Sequence, residues 1–141
     1  MRYDDETLRK MQLMELGILK EVDRVCREHD IAYFLDSGSA LGAARHDGFI
    51  PWDDDIDVGM MRADYERFLS VAPEALGEQY VLSEPMTNAI HSAMFAKVWL
   101  RGTKFYTVET LDAGLRQGIG IDILPYDVLS ADERVAQKQR Q

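Results

Sequence analysis

The feature that most constrains this chain is the run FIPWDDDIDVGM at residues 49–60, which places four carboxylates within five residues. The apolar residues that follow, Ile56, Val58 and Met60, alternate as in a strand with one buried face. Carboxylates crowded beside such a strand repel one another, so the arrangement is costly unless a cation binds or some groups are protonated. A divalent cation at the end of a strand explains the pattern most simply, and a chance acidic cluster is the alternative.

Strand alternation over residues 54–61 predicts that Asp55 and Asp57 share one face, with Cα atoms roughly 6.5–7 Å apart. Two carboxylates at that spacing can converge on one ion. Ligation by oxygen alone suits Mg²⁺, Mn²⁺ or Ca²⁺ better than Zn²⁺. An EF-hand is disfavoured, because Val58 would stand where glycine is required and Asp64 where a bidentate glutamate is expected.

Length and charge bound the class of protein. With 141 residues, of which 46% are hydrophobic and 29% charged, we expect a single soluble globular domain over residues 1–141. The net charge of −9 argues against nucleic acid as a partner. No apolar run approaches the ~20 residues that a membrane-spanning helix needs. The first twenty residues do not resemble a signal peptide, and Cys26 is the only cysteine, so we expect a cytoplasmic protein.

The periodicity of apolar residues predicts an α+β fold. Helices are predicted over residues 4–29, 40–45 and 63–76, and strands over 31–36, 54–61, 80–82, 93–100, 104–108 and 118–124. The sequence Ser-Ala-Asp-Glu at residues 130–133 reads as a capping box that opens a further helix. Because the chain stops two to three turns later, we expect it to be truncated at its C-terminus.

Two further features accompany the acidic run. Gly38 and Ser39 lie between a predicted strand and a helix start, where backbone N–H groups can bind phosphate, although most such turns are only turns. Asp122 interrupts the apolar strand GIGIDIL and must therefore be paired, hydrogen-bonded or bound to a metal. A structural, salt-bridged aspartate is the alternative interpretation of Asp122.

A family resemblance rests on two blocks. Residues 35–60, LDSGSALGAARHDGFIPWDDDIDVGM, closely resemble the signature of the LicD family, and residues 118–127, GIGIDILPYD, resemble its second block. The resemblance covers roughly residues 10–130 and implies the nucleotidyltransferase-like mixed sheet of the polymerase-beta-like superfamily. That superfamily is recognised by a Gly-Ser turn, an Asp-x-Asp on the next strand and a later acidic residue. These features correspond to Gly38 with Ser39, Asp55 with Asp57, and Asp122.

The resemblance also implies a reaction. LicD-like proteins move phosphocholine from CDP-choline to a sugar hydroxyl of a cell-surface glycan, of the lipopolysaccharide or teichoic acid type, and relatives move other phosphoalcohols from CDP donors. By resemblance, Asp55, Asp57 and Asp122 are the catalytic and metal-binding residues for Mg²⁺ or Mn²⁺. Family members are longer than this chain, so we expect the acceptor pocket to be incomplete here.

Substrate-binding candidates are Gly38 and Ser39 for phosphate, together with Arg45 and Lys97. Arg45 could clamp a phosphate, and Lys97 could project over the pocket, although a solvent-facing side chain is the commoner arrangement for both residue types. Trp52 could stack on a base, but a core position is the stronger interpretation. Two other functions remain open: transfer of a nucleotide from an NTP, and a metal- or nucleotide-binding module without turnover.

Overall fold

The structure is a computed structural model that describes residues 3–84, 95–104 and 118–140. Its helices are α1 (Asp5–Glu28), α2 (Ser37–His46), α3 (Arg62–Ala75) and α4 (Glu133–Gln139). Its strands are β1 (Phe34–Leu35), β2 (Asp57–Met61), β3 (Tyr80–Ser83), β4 (Ala96–Leu100) and β5 (Gly120–Tyr126).

The strands form one sheet in the order β1-β2-β5-β4-β3. The central pair, β2 and β5, is parallel, whereas the other three pairs are antiparallel. This mixed sheet with flanking helices confirms the predicted α+β fold. Its register places Asp57 opposite Asp122, and Asp122 opposite Lys97.

The core lies on one face of the sheet, between the strands and the helices α1 and α3. The strands supply fully buried residues at alternate positions, which are Val58, Met60, Ala96, Val98, Ile121 and Ile123. The helices cover them with Ile18, Val22 and Phe68, spaced as an amphipathic helix requires. No helix within the described ranges combines the length and the apolar character needed to cross a lipid bilayer.

Several strand boundaries differ from those predicted. The strand β1 covers only Phe34–Leu35 of the predicted residues 31–36, and β5 begins at Gly120 rather than at residue 118. The strand β2 begins at Asp57 rather than at residue 54, because the chain turns at residues 51–52 and the Asp53 N–H donates to the Ile50 carbonyl, 2.9 Å away. The strand β5 continues through Pro125, where an end was predicted. The described pairing with β4 ends at Ile123, so the missing N–H of Pro125 breaks no pair there. The strand predicted over 104–108 lies almost entirely outside the described residues.

Both short helices start where a side chain caps them. Asp36 caps α2, so that this helix includes the predicted Gly-Ser turn and begins three residues earlier than expected. Asp132 caps α4 by accepting the N–H groups of Arg134 and Val135. The predicted capping role of Ser130 is therefore wrong: its hydroxyl instead accepts the Asp132 N–H. An aspartate closer to the first helical turn satisfies the donors more directly.

A close backbone contact holds the segment leading to the acidic run against α2. A Cβ atom at Gly42 would lie 2.4 Å from the Gly48 carbonyl oxygen and 2.9 Å from the Ile50 nitrogen. Neither backbone atom can move without displacing the chain that enters the acidic run. By contrast, a Cβ atom at Gly17, within α1, would meet nothing within 4 Å.

These two glycines provide a matched test. Gly42→Ala should lower the free energy of unfolding by about 1–3 kcal/mol, as overpacking usually does. Gly17→Ala should raise it by about 0.5–1 kcal/mol, because alanine is the better helix former and has open space there. Urea unfolding followed by circular dichroism measures both, and equal effects of the two substitutions would contradict the packing described for Gly42.

Candidate active site

A row of charged side chains crosses the sheet at the centre. Asp57 on β2, Asp122 on β5 and Lys97 on β4 are cross-strand neighbours, and they alternate with buried apolar residues, so they point away from the core. The negative charge of Asp122 acts on Asp57, its neighbour across the two strands, and disfavours the charged form of Asp57. Lys97 Nζ lies 3.4 Å from Asp122 Oδ1, and both side chains are largely buried. The structure thus brings two predicted site carboxylates together.

The acidic loop, residues 53–55, forms a second group beside this row. The carboxylates of Asp53, Asp54 and Asp55 offer oxygens that all lie within 4.8 Å of one another. The negative charges of Asp53 and Asp57 both act on Asp55. Strand alternation does not apply to Asp55, because β2 begins only at Asp57. The loop conformation, rather than strand alternation, brings Asp55 to the site.

The first turn of α2 lies against both acidic groups. Ser39 Oγ accepts the Asp57 N–H at 3.0 Å, which ties this turn to the start of β2. A Cβ atom at Gly38 would lie 2.7 Å from Asp53 Oδ2, so a glycine allows the carboxylate to approach. Asp36, the helix cap, accepts the Ser37 N–H at 2.8 Å and the hydroxyl hydrogen of Tyr126. Its negative charge also acts on Asp57.

Two cavities adjoin the carboxylates. The larger, about 320 Å³, has Gly38, Ser39, Asp53 and Asp55 in its lining, and the rest of its wall is mainly apolar. The smaller, about 140 Å³, lies between α1, the acidic loop and β5, and its charged lining residues are Glu15, Asp54, Asp55, Lys97 and Asp122. Five of the predicted site residues line a concavity, as a ligand site requires; they are Gly38, Ser39, Asp55, Lys97 and Asp122. Asp57 lines neither of the two cavities.

Burial and mutual repulsion raise the pKa values of these acids. Burial, followed by the charges of the acidic loop, raises the pKa of Glu15 to about 9. Burial, followed by the neighbouring Asp53 and the charge of Asp57, raises the pKa of Asp55 to about 7. Burial and the charge of Asp122 raise the pKa of Asp57 to about 6. Acids whose charged forms are disfavoured in this way are typical of sites that bind cations or move protons.

The donor set fits a hard divalent cation. The acidic loop and the row beside it present carboxylate oxygens, and oxygen ligands at close spacing are what Mg²⁺, Mn²⁺ and Ca²⁺ prefer. Residues able to hold such an ion are Asp53, Asp54, Asp55, Asp57 and Asp122. Their metal-binding role, predicted from sequence for Asp55, Asp57 and Asp122, stays a prediction.

The secondary candidates are placed differently from one another. Lys97 faces the site, as its strand position suggested, whereas Arg45 is exposed in the last turn of α2 and lines neither cavity described above. The core position expected for Trp52 is wrong: its side chain is 75% exposed, because the turn at residues 51–52 carries it outward, and it makes an edge contact with His46. Trp52 thus offers a free aromatic surface beside the acidic loop.

Sequence reasoning missed two acidic residues. Glu15 occupies a buried position of α1, between Met11 and Ile18, where an apolar residue would continue the pattern. That interruption was a usable signal, equivalent to the one noticed at Asp122. Asp36 gave no such signal, because an aspartate before a helix is ordinarily a cap and nothing more.

The raised pKa values predict how pH affects the metal-free protein. Between the ordinary glutamate pKa and about 9, Glu15 keeps its proton in the folded chain but loses it in the unfolded chain. Stability should therefore fall as pH rises, by up to about 1.4 kcal/mol per pH unit for one such group. Asp55 and Asp57 act in the same direction at lower pH. Thermal unfolding in EDTA from pH 5 to 9 measures this, Glu15→Gln should flatten the profile, and a midpoint rising towards pH 9 would contradict it.

Comparison of the sequence with known proteins identifies a family to which this chain is similar. Residues 30–134 match the nucleotidyltransferase domain of LicD/FKTN/FKRP proteins, which is well over half of the chain. The chain is 49% identical over 74 residues to the lipopolysaccharide cholinephosphotransferase LicD of Haemophilus influenzae, a match covering 52% of this chain and 28% of that protein. It is 36% identical over 73 residues to an uncharacterised protein of Rickettsia typhi, covering 52% and 23%.

The chain also has a shorter match to a human protein. Over 34 residues it is 53% identical to the ribitol 5-phosphate transferase FKRP of Homo sapiens, which covers 24% of this chain and 7% of that protein. The matched segments thus span less than a third of each relative's own length. The family match includes the first turn of α2, the acidic loop, β2 and β5, and so all the carboxylates predicted from sequence. The chain belongs to the LicD/FKTN/FKRP family and carries its nucleotidyltransferase domain.

Proposed function

We propose that this chain transfers a phosphoalcohol group, most simply phosphocholine, from a CDP-activated donor to a sugar hydroxyl of a cell-surface glycan, in a reaction that depends on Mg²⁺ or Mn²⁺. The observation that carries the proposal is the meeting of Asp57 and Asp122 beside the acidic loop and the first turn of α2. The named activity of the Haemophilus relative supports phosphocholine and a glycan acceptor.

A divalent cation bound by these carboxylates would withdraw charge from the donor diphosphate and favour departure of CMP. The chain's own residues supply position and charge. The Asp57 N–H donates to Ser39 Oγ, which leaves the Ser39 hydroxyl hydrogen to donate to a phosphate oxygen. Lys97, held at Asp122 by the ion pair, places a positive charge where the diphosphate would lie.

Asp122 and Asp57 also provide a place for the acceptor's proton. Burial and the charge of Asp122 raise the pKa of Asp57 to about 6, which favours a proton at this position. When both are ionised, Asp122 can accept the proton of a sugar hydroxyl that attacks phosphorus, as general bases do in phosphoryl transfer. The largely apolar cavity next to Gly38 and Ser39 offers room for a small alcohol group of the donor.

A second function deserves a direct test, because the matched family domain is described as a nucleotidyltransferase. That reaction would move a nucleotide from an NTP to a small acceptor and release pyrophosphate. We expect the chain to release CMP from CDP-choline with Mg²⁺ and glycan acceptor, and no pyrophosphate from any NTP. Quantifying both products by anion-exchange chromatography separates the two enzymes, and the absence of both products would favour a binding module.

Substitution of one carboxylate tests the site itself. Asp57→Asn should lower CMP release by roughly a hundredfold or more, since residues that only orient metal ligands already account for 10–100-fold. The fold should survive, because asparagine has the size of aspartate and its substitution removes one source of repulsion with Asp122. The measurements are steady-state rates with saturating Mg²⁺ and the metal-free unfolding temperature.

Asp30→Asn is the matched control for Asp57→Asn. Asp30 is exposed and has a positive φ of 57°, a conformation that asparagine tolerates as well as aspartate. Its substitution removes the same charge without touching the site, so the rate should stay within twofold of wild type. Near wild-type activity of Asp57→Asn would show that Asp57 is not part of the catalytic centre.

A further inference from the structure

Glu15 is a buried carboxylate that the fold does not explain. It lies on the core-facing side of α1 and is only 3% exposed, yet its Oε2 atom has no hydrogen-bond partner within the described residues. An unpaired buried carboxyl group is costly, and methionine or leucine would pack at this position without that cost. A buried carboxyl group of this kind indicates a bound ligand that would supply the missing partner.

The surroundings of the Glu15 carboxyl group indicate the class of ligand. It lines the smaller cavity, about 140 Å³, together with Asp54, Asp55, Lys97 and Asp122. The one positive side chain in that lining, Lys97, is already paired with Asp122. Negative charge therefore predominates around the cavity, which favours a cation over an anion or a neutral ligand. A cavity of this size also holds several water molecules, so a partly hydrated ion fits.

The position of Glu15 is set by neighbouring contacts of α1. Gln12, one turn earlier on the same face, donates through Nε2 to the Asp53 carbonyl oxygen at 2.8 Å. Arg9 in turn donates to Gln12 Oε1 at 3.2 Å, which orients the amide. These contacts attach α1 to the acidic loop. Glu15 is consequently held beside the loop carboxylates without any movement of the helix.

We propose that Glu15 is a further ligand of the divalent cation, supplied by α1 to an ion that it shares with Asp55 and Asp122. This inference rests on the proposed function, since it concerns the same metal. It goes beyond the matched family domain, which begins at residue 30 and so does not include Glu15. The metal site would then be built from three separate parts of the chain: α1, the acidic loop and β5.

Metal affinity, measured without any substrate, tests the proposal. We would titrate the purified chain with Mn²⁺ and follow free Mn²⁺ by electron paramagnetic resonance, with Mg²⁺ calorimetry as a second measurement. Glu15→Gln should weaken Mn²⁺ binding at least tenfold and abolish most of the metal-induced rise in unfolding temperature. Glu6→Gln is the matched control, because Glu6 lies on the same helix with an 82% exposed side chain and should change affinity less than twofold.

A second variant covers the case in which Glu15→Gln does not fold, which circular dichroism would reveal. Glu15→Asp keeps the charge but withdraws it by one methylene, so its affinity should fall between wild type and a tenfold loss. Wild-type metal affinity in a folded Glu15→Gln variant would overturn this inference and leave the proposed function intact. If Glu15→Gln does not fold, wild-type metal affinity in Glu15→Asp would have the same consequence. Failure of the wild-type chain itself to bind Mn²⁺ or Mg²⁺ would instead overturn both.

Discussion

Repulsion among carboxylates is the constraint on which the rest of this structure depends. Acids from separate elements meet at the start of the central strand pair; they are Glu15, Asp36, Asp53, Asp54, Asp55, Asp57 and Asp122. Their charged forms destabilise one another and the folded chain. The surroundings reduce this repulsion in two ways, by an ion pair from Lys97 and by hydrogen bonds to Asp36. A cation would do so more completely, which is why folding and metal binding should be coupled.

The parallel strands β2 and β5 contribute to both the core and the candidate site, because their side chains alternate between the two faces of the sheet. Val58 and Ile123, which are paired across the two strands, are fully buried against the helices, while their neighbours Asp57 and Asp122 point to the other face. A shift of register by one residue would bury the acids and expose the apolar residues. The packing of the core therefore specifies which carboxylates meet.

Sequence patterns predicted the parts of the fold that depend on periodicity. The amphipathic helix α1, the helix α3 and the polar face on which Asp57 and Asp122 lie follow from alternation and spacing. That these two acids belong to one site was implied by the family resemblance. The path of the acidic loop could not be predicted in this way. It depends on the hydrogen bond from the Asp53 N–H to the Ile50 carbonyl and on the hydrogen bond from Gln12 to the Asp53 carbonyl. The exposure of Trp52 has the same origin, since a turn, rather than hydrophobicity, decides where its ring points.

The helix α1 carries an internal comparison that separates structural from functional burial. Gln12 and Glu15 are both polar, both 3% exposed, and one turn apart on the same face. Gln12 is satisfied at both ends of its amide, by Arg9 and by the acidic loop, so its burial is explained by holding the loop in place. Glu15 Oε2 has no hydrogen-bond partner among the residues that the structure describes, so holding the loop does not explain the burial of Glu15. Because the two residues lie on one face of the same helix at the same depth, that difference in hydrogen bonding supports a structural role for Gln12 and the proposed ligand role for Glu15.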